Sequence, residues 1–182
     1  DLRMSRGLGD VYKRQIQTLT QFFMQYGAGF IFLIVLLEYM NLPGFPAGII
    51  MPLAGIWAAR GQISFAAAMA LTVSAGLLGS WILYFLGRLG GAVLLPRYMR
   101  RFPKQEALIT KNLDMLKRKG AAGVFVSKLI PMVRTIISIP AGVIKMDFIT
   151  YSLSSAGGIF IWNFVLVGAG YWMGDAALKL FS

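Results

Sequence analysis

Three ionisable residues lie inside apolar stretches of the sequence: Glu38, Lys128 and Arg134. Such groups are costly within a membrane, at about 2.5–3.5 kcal/mol each on insertion scales, and therefore tend to mark a pathway for a charged substrate. Lys128 and Arg134 flank Pro131, so a turn there would let both cations hold an anionic headgroup. Glu38 would be their counter-ion or carry a proton. The alternatives are that the two cations merely reach the membrane surface from short segments, and that Glu38 is a purely structural partner of Arg134.

The residue types that the chain lacks exclude several kinds of chemistry. It contains no histidine and no cysteine, which removes thiol nucleophiles, disulfides, imidazole acid–base catalysis and most zinc and haem sites. No cluster of two or three acids lies within the apolar segments, so we expect no metal, no cofactor and no enzyme activity. Two alternatives stay open, namely a membrane enzyme that processes lipid phosphates and a non-transporting scaffold or assembly factor.

The composition indicates a membrane protein. Hydrophobic residues make up 57% of the 182 residues and charged residues 14%, against about 45–50% and about 25% in soluble proteins. Between Gln15 and Gly87 only Glu38 and Arg60 are charged, so this part of the chain could not form a water-exposed surface. A soluble globular enzyme and an intrinsically disordered chain are both excluded.

Two apolar segments are long enough to span a membrane. Residues 62–87 and residues 148–173 each form a run of twenty-six residues without a charge or a proline. About 20 helical residues are enough to cross the hydrocarbon core of a bilayer. We therefore predict a complete transmembrane helix in each of these two segments.

Two further apolar segments are interrupted by proline. The first occupies residues 27–59 and the second residues 120–144. Proline lacks an N–H and restricts the residue before it, so a helix tends to stop there. Both segments are therefore predicted to form a re-entrant hairpin or a discontinuous span. The predicted breaks are at Pro43, Pro46, Pro131 and Pro140.

The longest polar stretch between apolar segments is residues 88–119. It contains nine of the eighteen basic residues and only two acidic ones, which places it on the cytoplasmic side by the positive-inside rule. Apolar residues recur at helical spacing after Pro103, which predicts an amphipathic helix over anionic headgroups; they are Leu108, Ile109, Leu113 and Leu116. Phosphate or RNA binding is the alternative for this loop. A second interfacial helix is predicted over residues 16–26.

The two halves of the chain resemble each other. Small residues and a tryptophan recur at a constant offset of 81: Ser74-Ala75-Gly76, Trp81 and Gly87 correspond to Ser155-Ala156-Gly157, Trp162 and Gly168. One predicted span enters the basic loop and the other leaves it, so the two copies would have opposite orientations. Inverted repeats with broken helices are typical of secondary transporters.

These patterns predict a single membrane domain over residues 16–182. Its first half would be residues 16–87, its cytoplasmic basic loop residues 88–119 and its second half residues 120–182. Residues 1–15 resemble translated cloning sequence and are expected to be a non-native or disordered tail, with a short native basic tail as the alternative.

Several short motifs follow one another in an order that is typical of one protein family. They are Leu37-Glu38, residues 43–46 and residues 53–55 in the first half, residues 125–134 and 139–142 in the second, and residues 84–88 and 170–174 at the ends of the spans. This order resembles the DedA family, which groups with the SNARE-associated Golgi proteins in the VTT-domain superfamily. The resemblance covers residues 26–175.

The resemblance implies an all-α, multi-pass protein of the bacterial cytoplasmic (inner) membrane, with two facing re-entrant hairpins. It implies a secondary transporter or flippase that moves an anionic lipid, undecaprenyl phosphate or a phospholipid, between leaflets. Eukaryotic relatives resemble phospholipid scramblases. The resemblance also links such movement to envelope homeostasis and to the proton-motive force.

The resemblance assigns roles by position. Glu38 matches the first membrane acid of the family, and Arg134 matches its arginine after the proline. Lys128 stands where an arginine is expected, which keeps the charge but loses the planar grip on phosphate. Ala47-Gly48 stands where the family has a second acid, so Glu38 would act alone in any proton coupling.

The expected partners are membrane lipids, an anionic lipid substrate and protons, without nucleic acid. Although the formal net charge is +11, the concentration of basic residues in one loop argues against a nucleic-acid partner. The pairs Gly87/Gly91 and Gly170/Gly174 have the spacing that permits close helix packing, either within the chain or in a homo-oligomer.

Overall fold

The computed structural model describes residues 27–40, 47–101, 103–131 and 133–174, and within these ranges it contains helices and turns but no strand. The helices are α1 (Gly27–Tyr39), α2 (Ala47–Ala59), α3 (Phe65–Arg101), α4 (Pro103–Lys128), α5 (Val133–Ile136), α6 (Ser138–Val143) and α7 (Phe148–Met173). The predicted all-α class is confirmed for this part of the chain. The predicted tail and interfacial helix before residue 27, and the predicted breaks at Pro43 and Pro46, lie outside it.

Two of these helices contain a stretch long and apolar enough to cross a membrane. The stretches are Phe65–Gly91 within α3 and the whole of α7, in agreement with the two predicted spans. At the start of α3, the hydroxyl of Ser64 accepts a hydrogen bond from the backbone N–H of Ala67 at 3.1 Å, which caps the helix. At its other end α3 continues to Arg101. The first part of the predicted basic loop is therefore a helical extension of α3.

The helix α4 begins at Pro103, where proline is well tolerated because a first-turn N–H has no partner within the helix. Gly120 has φ 50° and ψ −123°, which interrupts the helical geometry inside α4. The basic part of the helix therefore ends at this glycine, and an apolar part follows over residues 121–128. Leu116 is buried at 1% exposure, whereas the basic side chains at positions 117–119 are exposed.

The short helix α2 packs against α7, the long helix of the opposite half. The contact is close because Gly55 lies directly against the backbone of α7: a Cβ at Gly55 would overlap the carbonyl oxygen of Val167 and lie 2.7 Å from the nitrogen of Tyr171. Gly170 meets the carbonyl oxygen of Pro52 in the same way. Glycine on both surfaces thus lets the two backbones touch.

The short helix α6 packs against α3 in the corresponding manner. A Cβ at Gly142 would overlap the carbonyl oxygen of Tyr84 and lie 2.7 Å from the nitrogen of Arg88. Gly87 meets the carbonyl oxygen of Ile139. Each half of the chain therefore contributes a short helix that packs on the long helix of the other half.

These contacts define how the two halves correspond. The α3 residues that meet Gly142 are Tyr84 and Arg88, and the α7 residues that meet Gly55 are Val167 and Tyr171. Val167 follows Tyr84 by 83 residues, and Tyr171 follows Arg88 by the same number. The packing therefore relates the two long helices at an offset of 83, two residues more than the matching sequence motifs indicate.

Asp147 caps the start of α7. Its carboxylate accepts hydrogen bonds from the backbone N–H of Thr150 at 2.8 Å and from the hydroxyl of Thr150 at 2.9 Å. The backbone hydrogen bond lowers the pKa of Asp147 below its ordinary value, since it favours the charged form. The stabilisation from this cap is therefore present above the pKa of an unfolded aspartate, about 3.9, and is lost as the pH falls through the lower folded value.

Replacing Asp147 by alanine should lower the melting temperature of the detergent-solubilised protein at pH 7, because the first turn of α7 loses its cap. Asp147→Ser should retain most of the stability, since serine is also a good N-cap. The difference between wild type and Asp147→Ala should shrink below about pH 4, as the carboxylate becomes protonated. Identical melting temperatures for wild type and Asp147→Ala at pH 7 would contradict a capping role.

Candidate functional site

An ion pair joins the two halves of the chain. Glu38 lies near the end of α1 and Arg134 lies in α5, 96 positions later, and a guanidinium Nη2 of Arg134 donates to Oε1 of Glu38. Both side chains are buried, at 3% exposure each. A buried charge is tolerated only when it is paired. The structure thus brings together two of the three ionisable residues that the sequence singles out.

Aromatic rings cover the guanidinium of Arg134. Its Nη1 donates to the hydroxyl of Tyr39 at 3.2 Å. The guanidinium carbon lies 4.7 Å from the ring centre of Tyr39 and 5.1 Å from that of Trp162, at cation–π distance from both. The hydroxyl of Tyr39 in turn donates to Oδ1 of Asn163 at 3.1 Å. A hydrogen-bonded chain therefore runs from α5 through α1 to α7.

Lys128 is fully buried beside this group, but its ammonium does not contact Glu38. Its Nζ donates to the hydroxyl of Ser80 at 2.9 Å, to the backbone oxygen of Arg134 at 2.9 Å and to the hydroxyl of Ser138 at 3.0 Å. An ammonium has three N–H groups, so all of them are in use in this conformation. Lys128 here holds the backbone of Arg134 in place, and its role in headgroup binding stays a prediction.

The two described prolines of the second broken segment lie in different settings. Pro131 is exposed and lies in the turn between α4 and α5, so Lys128 and Arg134 stand on either side of that turn. Pro140 is buried in the first turn of α6, where its missing N–H costs no hydrogen bond. The residue between α5 and α6, Ile137, lies three positions before Pro140.

Three residues around the ion pair were not singled out from the sequence as site residues: Tyr39, Trp162 and Asn163. Asn163 carries the only amide side chain in the segment 148–173, and that feature could have marked it, since polar groups inside a span need a partner. Tyr39 and Trp162 gave no comparable signal, because aromatic residues are common in apolar segments.

Within the described ranges, no group of three acids, histidines or cysteines could hold a metal ion.

Comparisons with known proteins identify the family of the chain. The sequence matches the VTT domain over residues 45–172. It is 34% identical over 164 residues to undecaprenyl phosphate transporter A of Staphylococcus aureus, which covers 88% of this chain and 80% of that protein. The protein of the same name in Bacillus subtilis is 30% identical over 130 residues, or 71% of this chain and 66% of that protein.

A relative with a different name also matches. A protein of Lactococcus lactis named alkaline phosphatase-like protein is 31% identical over 165 residues, which covers 88% of this chain and 75% of that protein. No solved structure matches the chain. The match to the VTT domain and the extent of the similarity confirm the resemblance found in the motifs: the chain belongs to the VTT-domain family, the DedA family of membrane proteins.

Proposed function

We propose that this protein moves an anionic lipid with a phosphate headgroup, either undecaprenyl phosphate or a phospholipid, between the leaflets of the bacterial cytoplasmic membrane. The observation that carries the proposal is the ion pair of Glu38 and Arg134, buried where helices of the two halves meet. The name shared by the Staphylococcus aureus and Bacillus subtilis relatives, undecaprenyl phosphate transporter A, favours the polyprenyl phosphate.

The ion pair would work by exchanging one anion for another. Glu38 neutralises Arg134 while the site is empty, and an arriving phosphate takes its place. A guanidinium binds phosphate and carboxylate through the same fork of N–H donors, so Arg134 stays paired throughout. This exchange avoids the large cost of a buried cation that lacks a partner.

The arrangement of short helices supports two re-entrant hairpins that enter from opposite faces. Helices α1 and α2 each contain 13 residues, which is about 20 Å of helix and too short to cross a core of about 30 Å. In the second half, α5 and α6 are shorter still. The basic part of α4 would lie in the cytoplasm, and the hairpins would meet at the ion pair.

The direct test is transport in vesicles. Purified protein is reconstituted into liposomes that carry a fluorescent short-chain polyprenyl phosphate, and its movement between leaflets is followed by quenching of the outer leaflet. We expect the protein to accelerate the movement of this lipid and to leave the corresponding polyprenol, which lacks the phosphate, at the protein-free rate. Equal rates with and without protein for the phosphate lipid would rule out the proposed function.

Proton coupling would depend on Glu38, which would gain and release a proton as the phosphate comes and goes. An imposed pH gradient should then change the transport rate of the wild type, whereas Glu38→Gln should transport at a rate that ignores the gradient. The measurement is the same vesicle assay with and without the gradient. If both proteins ignore the gradient, coupling is absent while lipid movement itself stands.

The name of the Lactococcus lactis relative, alkaline phosphatase-like protein, favours an enzyme acting on lipid phosphates as a second candidate function. Hydrolysis would release inorganic phosphate from the polyprenyl phosphate in the vesicle assay. We expect no release above the protein-free rate. Phosphate release that keeps pace with the loss of the labelled lipid would favour the enzyme over the transporter.

A further inference from the structure

Two N–H groups of α7 lie buried beside the ion pair without a hydrogen-bond partner in the described part of the chain. One is the side-chain amide nitrogen of Asn163, a residue with 0% exposure, and the other is the indole nitrogen of Trp162. Buried donors are almost always paired in folded proteins, so each exception asks for an explanation. A ligand that supplies acceptors would provide one.

The hydrogen bonds of Tyr39 indicate which atoms of the Asn163 amide are left without a partner. The hydroxyl of Tyr39 accepts from Arg134, so its own hydrogen is donated onward, to the carbonyl oxygen of Asn163. In this orientation the amide oxygen of Asn163 faces the hydroxyl of Tyr39, and its nitrogen faces away from it. Its two N–H hydrogens are therefore the ones left over.

The corresponding positions in the other half have their partners. Ser80 lies 83 positions before Asn163, which is the offset at which the long helices correspond, and its hydroxyl accepts from Lys128. Trp81, which matches Trp162 at the motif offset of 81 rather than at 83, donates its indole N–H to the hydroxyl of Ser152 at 3.0 Å. The open donors of Trp162 and Asn163 are thus a feature of the α7 side, where Arg134 lies.

We infer that Asn163 and Trp162 bind the phosphate headgroup together with Arg134, and that the three residues select a phosphate monoester; the inference rests on the proposed function. A monoester presents three unesterified oxygens, one each for the guanidinium, the amide and the indole. A phosphodiester lipid presents two, so two of the three donor groups would have to share one oxygen when it binds. A hydroxyl headgroup offers a single weak acceptor and no charge.

The test removes the two open donors one at a time; Asn163→Leu also removes the Oδ1 that accepts from Tyr39, whereas Trp162→Phe removes a donor alone. Trp162→Phe keeps an aromatic face over Arg134 but lacks the indole N–H, and Asn163→Leu replaces the amide by an apolar side chain of similar size. In the vesicle assay with fluorescent short-chain polyprenyl phosphate, each variant should raise the KM about tenfold, as expected for the loss of one hydrogen bond to a charged group. The maximal rate should change by less than about twofold if the transport step itself is intact.

Trp81→Phe is the matched control, because it removes an indole N–H that already has a partner within the protein. It should leave the KM for polyprenyl phosphate unchanged. The wild type should also prefer the monoester over a fluorescent phosphatidylglycerol, and Trp162→Phe should lose most of that preference. Melting temperatures of all variants are measured alongside, and Trp162→Phe decides the question if Asn163→Leu fails to fold.

The possible outcomes separate this inference from the function on which it rests. If the wild type moves no polyprenyl phosphate, the proposed function fails and the inference fails with it. If the wild type moves the lipid but Trp162→Phe keeps the wild-type KM and the wild-type preference, the inference is overturned and the transport function stands. That second result would mean that the open donors are met by water alone.

Discussion

Arg134→Ala is expected to slow the movement of polyprenyl phosphate in vesicles by about a hundredfold or more. Removing one partner of a buried, hydrogen-bonded charge pair typically costs about 2–5 kcal/mol of binding energy. The phosphate would lose its only cationic ligand on the α5 side, because the N–H groups of Lys128 are already used by Ser80, Ser138 and the backbone oxygen of Arg134. The measurement is the initial transport rate at equal amounts of reconstituted protein.

Loss of the fold must be separated from loss of the site in this experiment. Arg134→Ala leaves Glu38 buried without its partner, which can destabilise a protein by about 3–5 kcal/mol. The double variant Glu38→Gln with Arg134→Gln removes both charges and lets the two amides pair, so it should fold and still not transport. Arg60→Gln, at an exposed position after α2, should transport normally. A wild-type rate for Arg134→Ala would refute the site assignment.

Gly142→Ala is expected to prevent stable assembly of the two halves. The added Cβ would overlap the carbonyl oxygen of Tyr84 and lie 2.7 Å from the nitrogen of Arg88, so relief would require the backbones of α6 and α3 to separate. Overpacking of a side chain costs about 1–3 kcal/mol, and a clash between two backbones cannot be relieved by a rotamer change. We expect a markedly lower melting temperature and a reduced monodisperse peak in size-exclusion chromatography.

The control for this prediction is the same substitution at Gly168. This glycine lies inside α7, and a Cβ there would meet nothing within 4 Å. Alanine is more favourable than glycine in a helix by about 0.8–1.0 kcal/mol, so Gly168→Ala should be at least as stable as the wild type. Equal melting temperatures for Gly142→Ala and Gly168→Ala would show that the close contact between α6 and α3 does not hold the fold together.

The meeting of Glu38 and Arg134 could be predicted from the sequence because burial of a charge in an apolar segment requires an opposite charge nearby. The residues that surround the pair could not be predicted in this way. Which side of α7 faces α1 decides whether Asn163 and Trp162 are near Arg134, and α7 is apolar on all sides, so its sequence carries little information about its rotation. Lys128 illustrates the same limit, since its charge was evident but not its use by Ser80 and Ser138.

The ends of the helices, and the register in which the two halves correspond, could not be predicted from the sequence either. The basic character of the segment after Gly87 predicts a loop, yet arginine and leucine are good helix formers and charge alone does not end a helix. α3 therefore continues to Arg101. The small residues of the sequence motifs match at an offset of 81, whereas Gly87 and Gly170, which the short helices contact on the two long helices, correspond at 83. Sequence matches in apolar segments thus establish a repeat more readily than its register.

Cross-linking of positions 38 and 134 tests most directly whether the two halves meet at a buried ion pair. The chain has no cysteine, so Glu38→Cys and Arg134→Cys can be combined without other changes and treated in membranes with a short bifunctional thiol reagent. We predict an efficient intramolecular cross-link, and none when Glu38→Cys is combined with Val165→Cys on the exposed side of α7. The opposite result would be no cross-link between positions 38 and 134, with each single cysteine labelled by a membrane-impermeant maleimide from its own side of the membrane.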